Sequence, residues 1–214
     1  MTFNGVSATY TVQSDVAIQA FVPAGAASGP VSVTTPAGTA TSASNFIVTV
    51  PLSVAKAGNG QGTITSTSTR PPIGASYEVG TVVTLTASPA TGSDFTSWSG
   101  CDSVSGATCT VTMNAPRSVT ATFTLQTFPL NVTKSNLLTG SGTVTSTSSP
   151  GSANQINCGS NCSVLFNYGT VVTLTASPAL LSLFNGWTGC DSVSGNVCTV
   201  TIRSARSVNA AFLP

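Results

Sequence analysis

Residues 80–123, GTVVTLTASPATGSDFTSWSGCDSVSGATCTVTMNAPRSVTATF, recur as residues 169–212, GTVVTLTASPALLSLFNGWTGCDSVSGNVCTVTIRSARSVNAAF. The two stretches agree at about 30 of 44 positions without a gap, which marks tandem modules of one architecture. An active site is seldom needed twice, whereas repeated small modules serve reach, spacing or multivalent binding. Within each copy, short runs of Val, Thr, Leu and Ile alternate apolar with polar and are cut by Gly, Pro, Asn and Ser. That period of two is the signature of half-buried strands.

Working outward, the first copy predicts strands at Leu52–Lys56, Gly62–Ser66, Val82–Ala87, Phe95–Trp98, Cys109–Met113 and Ser118–Phe123. The second predicts them at Leu130–Lys134, Gly142–Ser146, Val171–Ala176, Phe184–Trp187, Cys198–Ile202 and Ser207–Phe212. No window carries a helical stripe, so the expected class is all-β, built as tandem small domains. The segments DSVSGAT and DSVSGNV supply turn formers, so each neighbouring cysteine pair is expected to staple the two arms of a hairpin.

The six cysteines fall at Cys101, Cys109, Cys158, Cys162, Cys190 and Cys198. The duplication matches Cys101 and Cys109 to Cys190 and Cys198, and leaves Cys158 and Cys162 in a segment the first copy lacks. Local disulfides 101–109, 158–162 and 190–198 are the economical connectivity. The rival is a zinc site, because CGSNC plus two further thiols would supply four sulfur ligands. The first copy weighs against it, since it keeps its two cysteines with no second pair nearby. Disulfides place the chain in an oxidising compartment outside the cytosol. Closing loops of about 5 to 9 residues contributes roughly 2 to 2.6 kcal/mol each in the chain-entropy account, a sizeable fraction of the stability of a small module.

Charge excludes several classes of function. Only 5% of the residues are charged and there is no His, against about 25% charged in an ordinary domain. Acid–base catalysis leans on His or on paired carboxylates, and the acids Asp15, Glu78, Asp94, Asp102 and Asp191 are scattered. Lys56, Arg70, Arg117, Lys134, Arg203 and Arg206 stand mostly apart, and the formal net charge is +1, so no nucleic-acid surface is expected. Nor is an enzyme, a cofactor or a resident metal. No run of 18 apolar residues suggests a membrane span, and MTFNGVSATY lacks the features of a signal peptide. Met1 therefore reads as an artificial start or as a cut inside a longer secreted protein.

Residues 1–50 differ in texture and read as strands at about 8 to 12-residue spacing, with turns at Pro23–Gly29 and Pro36–Gly38, which suits a small β-sandwich. Through FNGVSATY, Asp15 before an alternating strand, and VPAGAASGPVSVTTPAGTATSASNF, this stretch resembles the C-terminal part of an IPT/TIG domain, an immunoglobulin-like module. Such domains open with further strands that are absent from this sequence. Either the chain is cut inside the domain or the missing edge is supplied from elsewhere, and an uncovered edge invites strand addition.

Residues 51–126 and 127–214 resemble the divergent internalin-B-type repeat of bacterial surface and secreted proteins. The residues that carry the resemblance are Gly62-Thr-Ile-Thr, Val83–Pro89, Phe95, Trp98–Cys101, Cys109–Met113 and Val119–Phe123. Their counterparts are Gly142, Val172–Pro178, Phe184, Trp187–Cys190, Cys198–Ile202 and Val208–Phe212. The resemblance implies a β-grasp-like fold and a role as stalk, spacer or adhesive part at the bacterial cell surface or in the extracellular space. The second repeat departs from the first around SSPGSANQINCGSNC, where a loop stapled by Cys158 and Cys162 is expected, and loops of that kind usually carry binding specificity.

Trp98 and Trp187 are candidate sugar-stacking platforms, but their fixed place beside Phe95 and Phe184 favours core packing. Arg117 and Arg206 read as solvated or turn-bonding residues rather than contacts for an acidic partner. Asp102 and Asp191 read as caps of the hairpin turn, since Ca²⁺ needs more oxygen ligands than one carboxylate and hydroxyls give. Asn131 and Asn161 open glycosylation patterns that matter only in a eukaryotic secretory route. Pro51 and Pro129 are expected to stiffen short joints at Val50-Pro51 and Gln126–Pro129. The scarcity of edge-guarding charge points to edges covered by neighbouring modules or copies, hence a stalk or fibre scaffold whose partners are itself or a surface glycan or protein. The alternative is a carbohydrate-binding accessory module of a secreted enzyme.

Overall fold

The structure, a computed structural model, describes residues 1–136, 139–153 and 155–214. Asn154, within the expected stapled loop, lies outside the described residues. The described residues form strands, turns and short loops, and no helix. No helix is therefore long and apolar enough to cross a membrane. The chain forms two compact units: Met1–Ala57, Thr63–Ser88 and Phe95–Thr122 make the first, and Gly58–Gly62, Pro89–Asp94 and Phe123–Pro214 the second.

The first unit opens with β1 (Thr2–Phe3), β2 (Val6–Ser7), β3 (Tyr10–Ser14), β4 (Ala17–Ala20), β5 (Val31–Thr35) and β6 (Gly38–Thr41). Four of these make a sheet in the order β2-β1-β5-β6, and β3 and β4 form a separate hairpin. Little is buried here beyond Phe3 and Ala26, while Val12, Val16 and Phe21 are exposed. Phe3 meets Phe46 edge-on, with ring centroids 5.0 Å apart. The alternation read in the sequence is thus present as strands, but with very little core between them.

The next strands are β7 (Thr49–Ala57), β8 (Gly62–Ser68), β9 (Ser76–Glu78), β10 (Val82–Pro89), β11 (Ser93–Ser99), β12 (Ser103–Ser105), β13 (Thr108–Thr112) and β14 (Arg117–Leu125). They form two four-stranded sheets, ordered β12-β13-β10-β8 and β11-β14-β7-β9. The two central strands of the second sheet, β14 and β7, run parallel, with Leu52 level with Arg117 and Val54 level with Val119. Val83, Leu85, Cys109, Val111, Val119 and Ala121 are buried at every second position, as the pleat requires.

The second unit repeats the plan with β15 (Thr127–Asn136), β16 (Gly142–Ser149), β17 (Ser163–Asn167), β18 (Val171–Pro178), β19 (Leu183–Thr188), β20 (Ser192–Ser194), β21 (Val197–Thr201) and β22 (Arg206–Leu213). Its sheets run β17-β15-β22-β19 and β16-β18-β21-β20. One hydrophobic cluster joins them, centred on Leu130, Val144, Phe166, Leu174, Val200 and Phe212. Gly142 sits where any Cβ would strike the Phe212 ring, so this strand needs glycine to let the ring fill the core.

The expected proline joints are placed differently. Pro51 pairs with Ser76 inside β7, and Pro129 pairs with Leu165 inside β15. Each proline stands one residue before its parallel ladder begins, at Leu52 and Leu130, where its missing N–H interrupts nothing. Between β14 and β15 only Gln126 lies outside a strand. Its N–H donates to Gly92 O at 2.9 Å and its carbonyl accepts the Tyr168 N–H at 2.8 Å. Its side chain donates to Asp94 Oδ1 at 2.8 Å.

Candidate functional site

The most built local geometry surrounds each CDSVSG segment. In the first copy, β12 and β13 pair with Ser105 opposite Thr108, leaving Gly106 and Ala107 as a two-residue loop. Gly106 has φ +55°, the glycine-first arrangement of a type II′ hairpin turn. Ser103–Ser105, read as turn residues, are therefore strand, because the tight turn begins only at Gly106. Cys101 and Cys109 are joined, with Cα atoms 5.7 Å apart. Cys190 and Cys198 are joined in the same way, again at 5.7 Å.

Asp102 does not cap that turn. The register places it at the open end of the hairpin, where Oδ2 accepts the Thr112 N–H at 2.6 Å and Oδ1 pairs with Arg117 at 2.7 Å. Arg117 also donates to Gly100 O at 2.9 Å. The second copy repeats each link: Thr201 N–H to Asp191 at 2.6 Å, Asp191 with Arg206 at 2.8 Å, and Arg206 to Gly189 O at 2.8 Å. Both carboxyls are held below the ordinary carboxylate value, first by the threonine backbone N–H and next by the arginine. The clasp ties the start of the last strand to the stapled hairpin. Within it, carboxylate, backbone N–H and guanidinium satisfy one another.

The tryptophans differ between copies. Trp98 is 8% exposed, tilts against Phe95 with centroids 5.7 Å apart, and donates Nε1–H to Ala107 O at 2.9 Å. Trp187 packs on Phe184 at 5.4 Å, is only half-buried, and its Nε1 is shielded without a hydrogen-bond partner. A bulge between Phe184 and Gly186 shifts the register just before it.

Cys158 and Cys162 are joined, with Cα atoms 4.3 Å apart. Their segment is not a free loop. Ile156 and Cys158 are each 1% exposed and belong to the core of the second unit. Among the described residues no cluster of three or more His, Cys, Asp or Glu is placed to hold a metal. The Asp–Arg pairing and the Ile156 anchor are the features that reading residue by residue missed. Retention of both Asp and Arg in both copies of a charge-poor chain was the available signal for the first.

Two sheets per repeat, one glycine-turned hairpin, one staple and one Asp–Arg clasp, all given twice, define a tandem of small disulfide-stapled β-modules. Residues 50–127 and 132–214 each match the divergent InlB B-repeat domain, and the chain belongs to that family. No curated protein matches the chain. Among solved structures, the Bacillus anthracis TIE protein is 10% identical with a TM-score of 0.45, covering 92% of this chain and 45% of that one. The pilus adhesin SpaC from Lactobacillus rhamnosus GG, in an open conformation, is 9% identical with a TM-score of 0.36, covering 92% of this chain and 36% of that one. The chain spans less than half the length of either.

Proposed function

We propose that this chain is a structural and adhesive repeat segment of a bacterial cell-surface or secreted protein, serving as stalk or fibre scaffold and having no catalytic role. The observation that carries the reading is what the two copies keep in common. Identities cover the buried strand positions, the staple cysteines and the Asp–Arg clasp, each of which fastens the module, and also the exposed hairpin Ser103–Gly106 and Ser192–Gly195. Residues 1–50 are proposed to be the C-terminal part of an IPT/TIG-type domain, whose exposed Val12, Val16 and Phe21 are the apolar surface a completed sandwich would cover. The three disulfides support an extracellular setting.

Single-molecule stretching of the oxidised chain tests the scaffold reading. Two similar unfolding events, each weakened or lengthened by reductant, are expected. Unfolding below the forces that thermal fluctuation supplies, with no discrete events, refutes it.

One observation favours a second reading, a carbohydrate-binding accessory module. Trp187 offers a partly open ring where that of Trp98 is buried. Glycan binding that disappears in Trp187→Ala while the thermal midpoint stays unchanged would support it. Absence of any glycan binding by the unmodified chain rules it out.

A further inference from the structure

The two repeats differ most where the second carries its extra segment, and the first is open at that place. In the second repeat the segment runs along two strand edges. Cys158 N–H bonds Val144 O at 2.7 Å, Ser146 N–H bonds Ile156 O at 3.0 Å, and Val132 N–H bonds Cys162 O at 2.8 Å. Thr145 and Asn157 form a bridge, so the segment pairs with the edge of β16 on one side and β15 on the other. The side chain of Ile156 fills the space beneath. Leu130 and Val144 are then fully buried, and Val132 is 4% exposed.

The first repeat has the same strands and no such segment. The stretch between β8 and β9 is only Thr69–Ala75, against Pro150–Cys162 between β16 and β17. Val54, the counterpart of Val132 by its place opposite the last strand, is 41% exposed. Leu52 and Ile64, the counterparts of Leu130 and Val144, are only half-buried. β9 pairs with β7 at Thr49–Pro51 and stops there, so beyond Pro51 no strand lies against that side of β7 among the described residues. The result is a groove of about 630 Å³ lined by Leu52, Val54, Ile64, Pro72, Tyr77 and Leu85.

We propose that this groove is a binding site for an extended, uncharged polypeptide segment of another protein, which adds along the open edge of β7 and places a branched aliphatic side chain over Val54 and Ile64. The occupant is defined by the second repeat, where a polypeptide of that chemistry already fills the equivalent space. Backbone hydrogen bonds to the edge supply affinity, and the apolar slot selects the side chain. Lys56 also lines the groove, but a single ammonium is not the fork of cations that a phosphate or acidic ligand needs. The site is independent of the scaffold reading, which survives if the groove proves empty.

The test uses the full isotope-labelled chain and an oxidised synthetic peptide with the sequence of residues 151–163. Saturable NMR shifts at Val54, Ile64 and Tyr77, with a Kd on the order of 10⁻⁴ to 10⁻³ M, are expected for so short a strand. Replacing the peptide's isoleucine by aspartate, or introducing Val54→Asp into the protein, is expected to weaken binding at least about tenfold, the loss of one buried aliphatic contact. Val54 is exposed enough for the variant to fold, and an unchanged thermal midpoint checks this. Absence of groove shifts at several millimolar peptide, or equal binding by the aspartate peptide, overturns the proposal. Sedimentation of the protein alone gives the remaining outcome: a dimer abolished by Val54→Asp would make a second copy the occupant and overturn the choice of a foreign segment.

Discussion

Ile156→Ala in the second repeat is the substitution whose cost the packing sets most clearly. Ile156 is 1% exposed within the cluster of Leu130, Val144, Phe166 and Leu174. Truncation removes three carbons from full burial, about 2.4 kcal/mol at ~0.8 kcal/mol per carbon. The segment is tied by backbone hydrogen bonds at Val144, Ser146 and Val132 and by the Cys158–Cys162 staple, so it cannot collapse into the space left behind. A cavity term therefore adds to the loss, giving about 3 to 4 kcal/mol. The matched control is Val54→Ala in the first repeat, where a 41% exposed side chain in an open groove should cost under about 1 kcal/mol. Urea titration followed by tryptophan fluorescence reads both, with Trp187 reporting on the second repeat and Trp98 on the first. A loss below about 1 kcal/mol for Ile156→Ala, or equal losses for the two variants, would refute the claim that the extra segment completes the core.

The other expectations follow from the clasp, the tryptophans and the turns. Asp102 and Asp191 have carboxyl pKa values lowered from 3.8 in the folded chain, so their contribution is present above that value and is lost as pH falls through the lower folded values. Thermal midpoints measured from pH 6 down to about pH 2 should therefore fall less steeply in the Asp102→Asn, Asp191→Asn double variant than in the unmodified chain. Trp98→Phe removes a hydrogen bond to Ala107 O and should cost about 1 kcal/mol more than Trp187→Phe, which removes none. Denaturant midpoints of the two variants check this. Gly100→Ala puts a Cβ into Ser118 O at φ +84° and should cost over about 2 kcal/mol, while Gly106→Ala meets open space at φ +55° and should cost about 1 kcal/mol. Comparable midpoints for the two glycine variants would contradict the close approach.

The duplication made the longer strands of both repeats legible, because an alternating pattern seen twice separates pleat from accident. It did not reach β9, β12 or β20, which are three residues each, too short to carry a period, and Ser103–Ser105 has the composition of a turn; it also missed β17, Ser163–Asn167, which lies outside the duplicated stretch. Asp102 and Arg117 meet only because the hairpin register sets one beside the start of β14, a fact of tertiary pairing that local spacing does not hold. The SSPGSANQINCGSNC segment read as a surface loop because its serines and asparagines are polar and its single isoleucine gives no pattern. One branched side chain and three backbone bonds are nevertheless enough to draw it into the core. The prolines misled for a related reason, since a proline just ahead of a parallel ladder looks in sequence like a linker.

All of this turns on oxidised staples inside each repeat. Intact mass after alkylation without reductant measures that directly: no adduct is expected on the folded or the unfolded chain, and six after reduction, one for each cysteine. Adducts on unreduced protein, or a stoichiometric metal released by chelator together with loss of structure, would contradict the account.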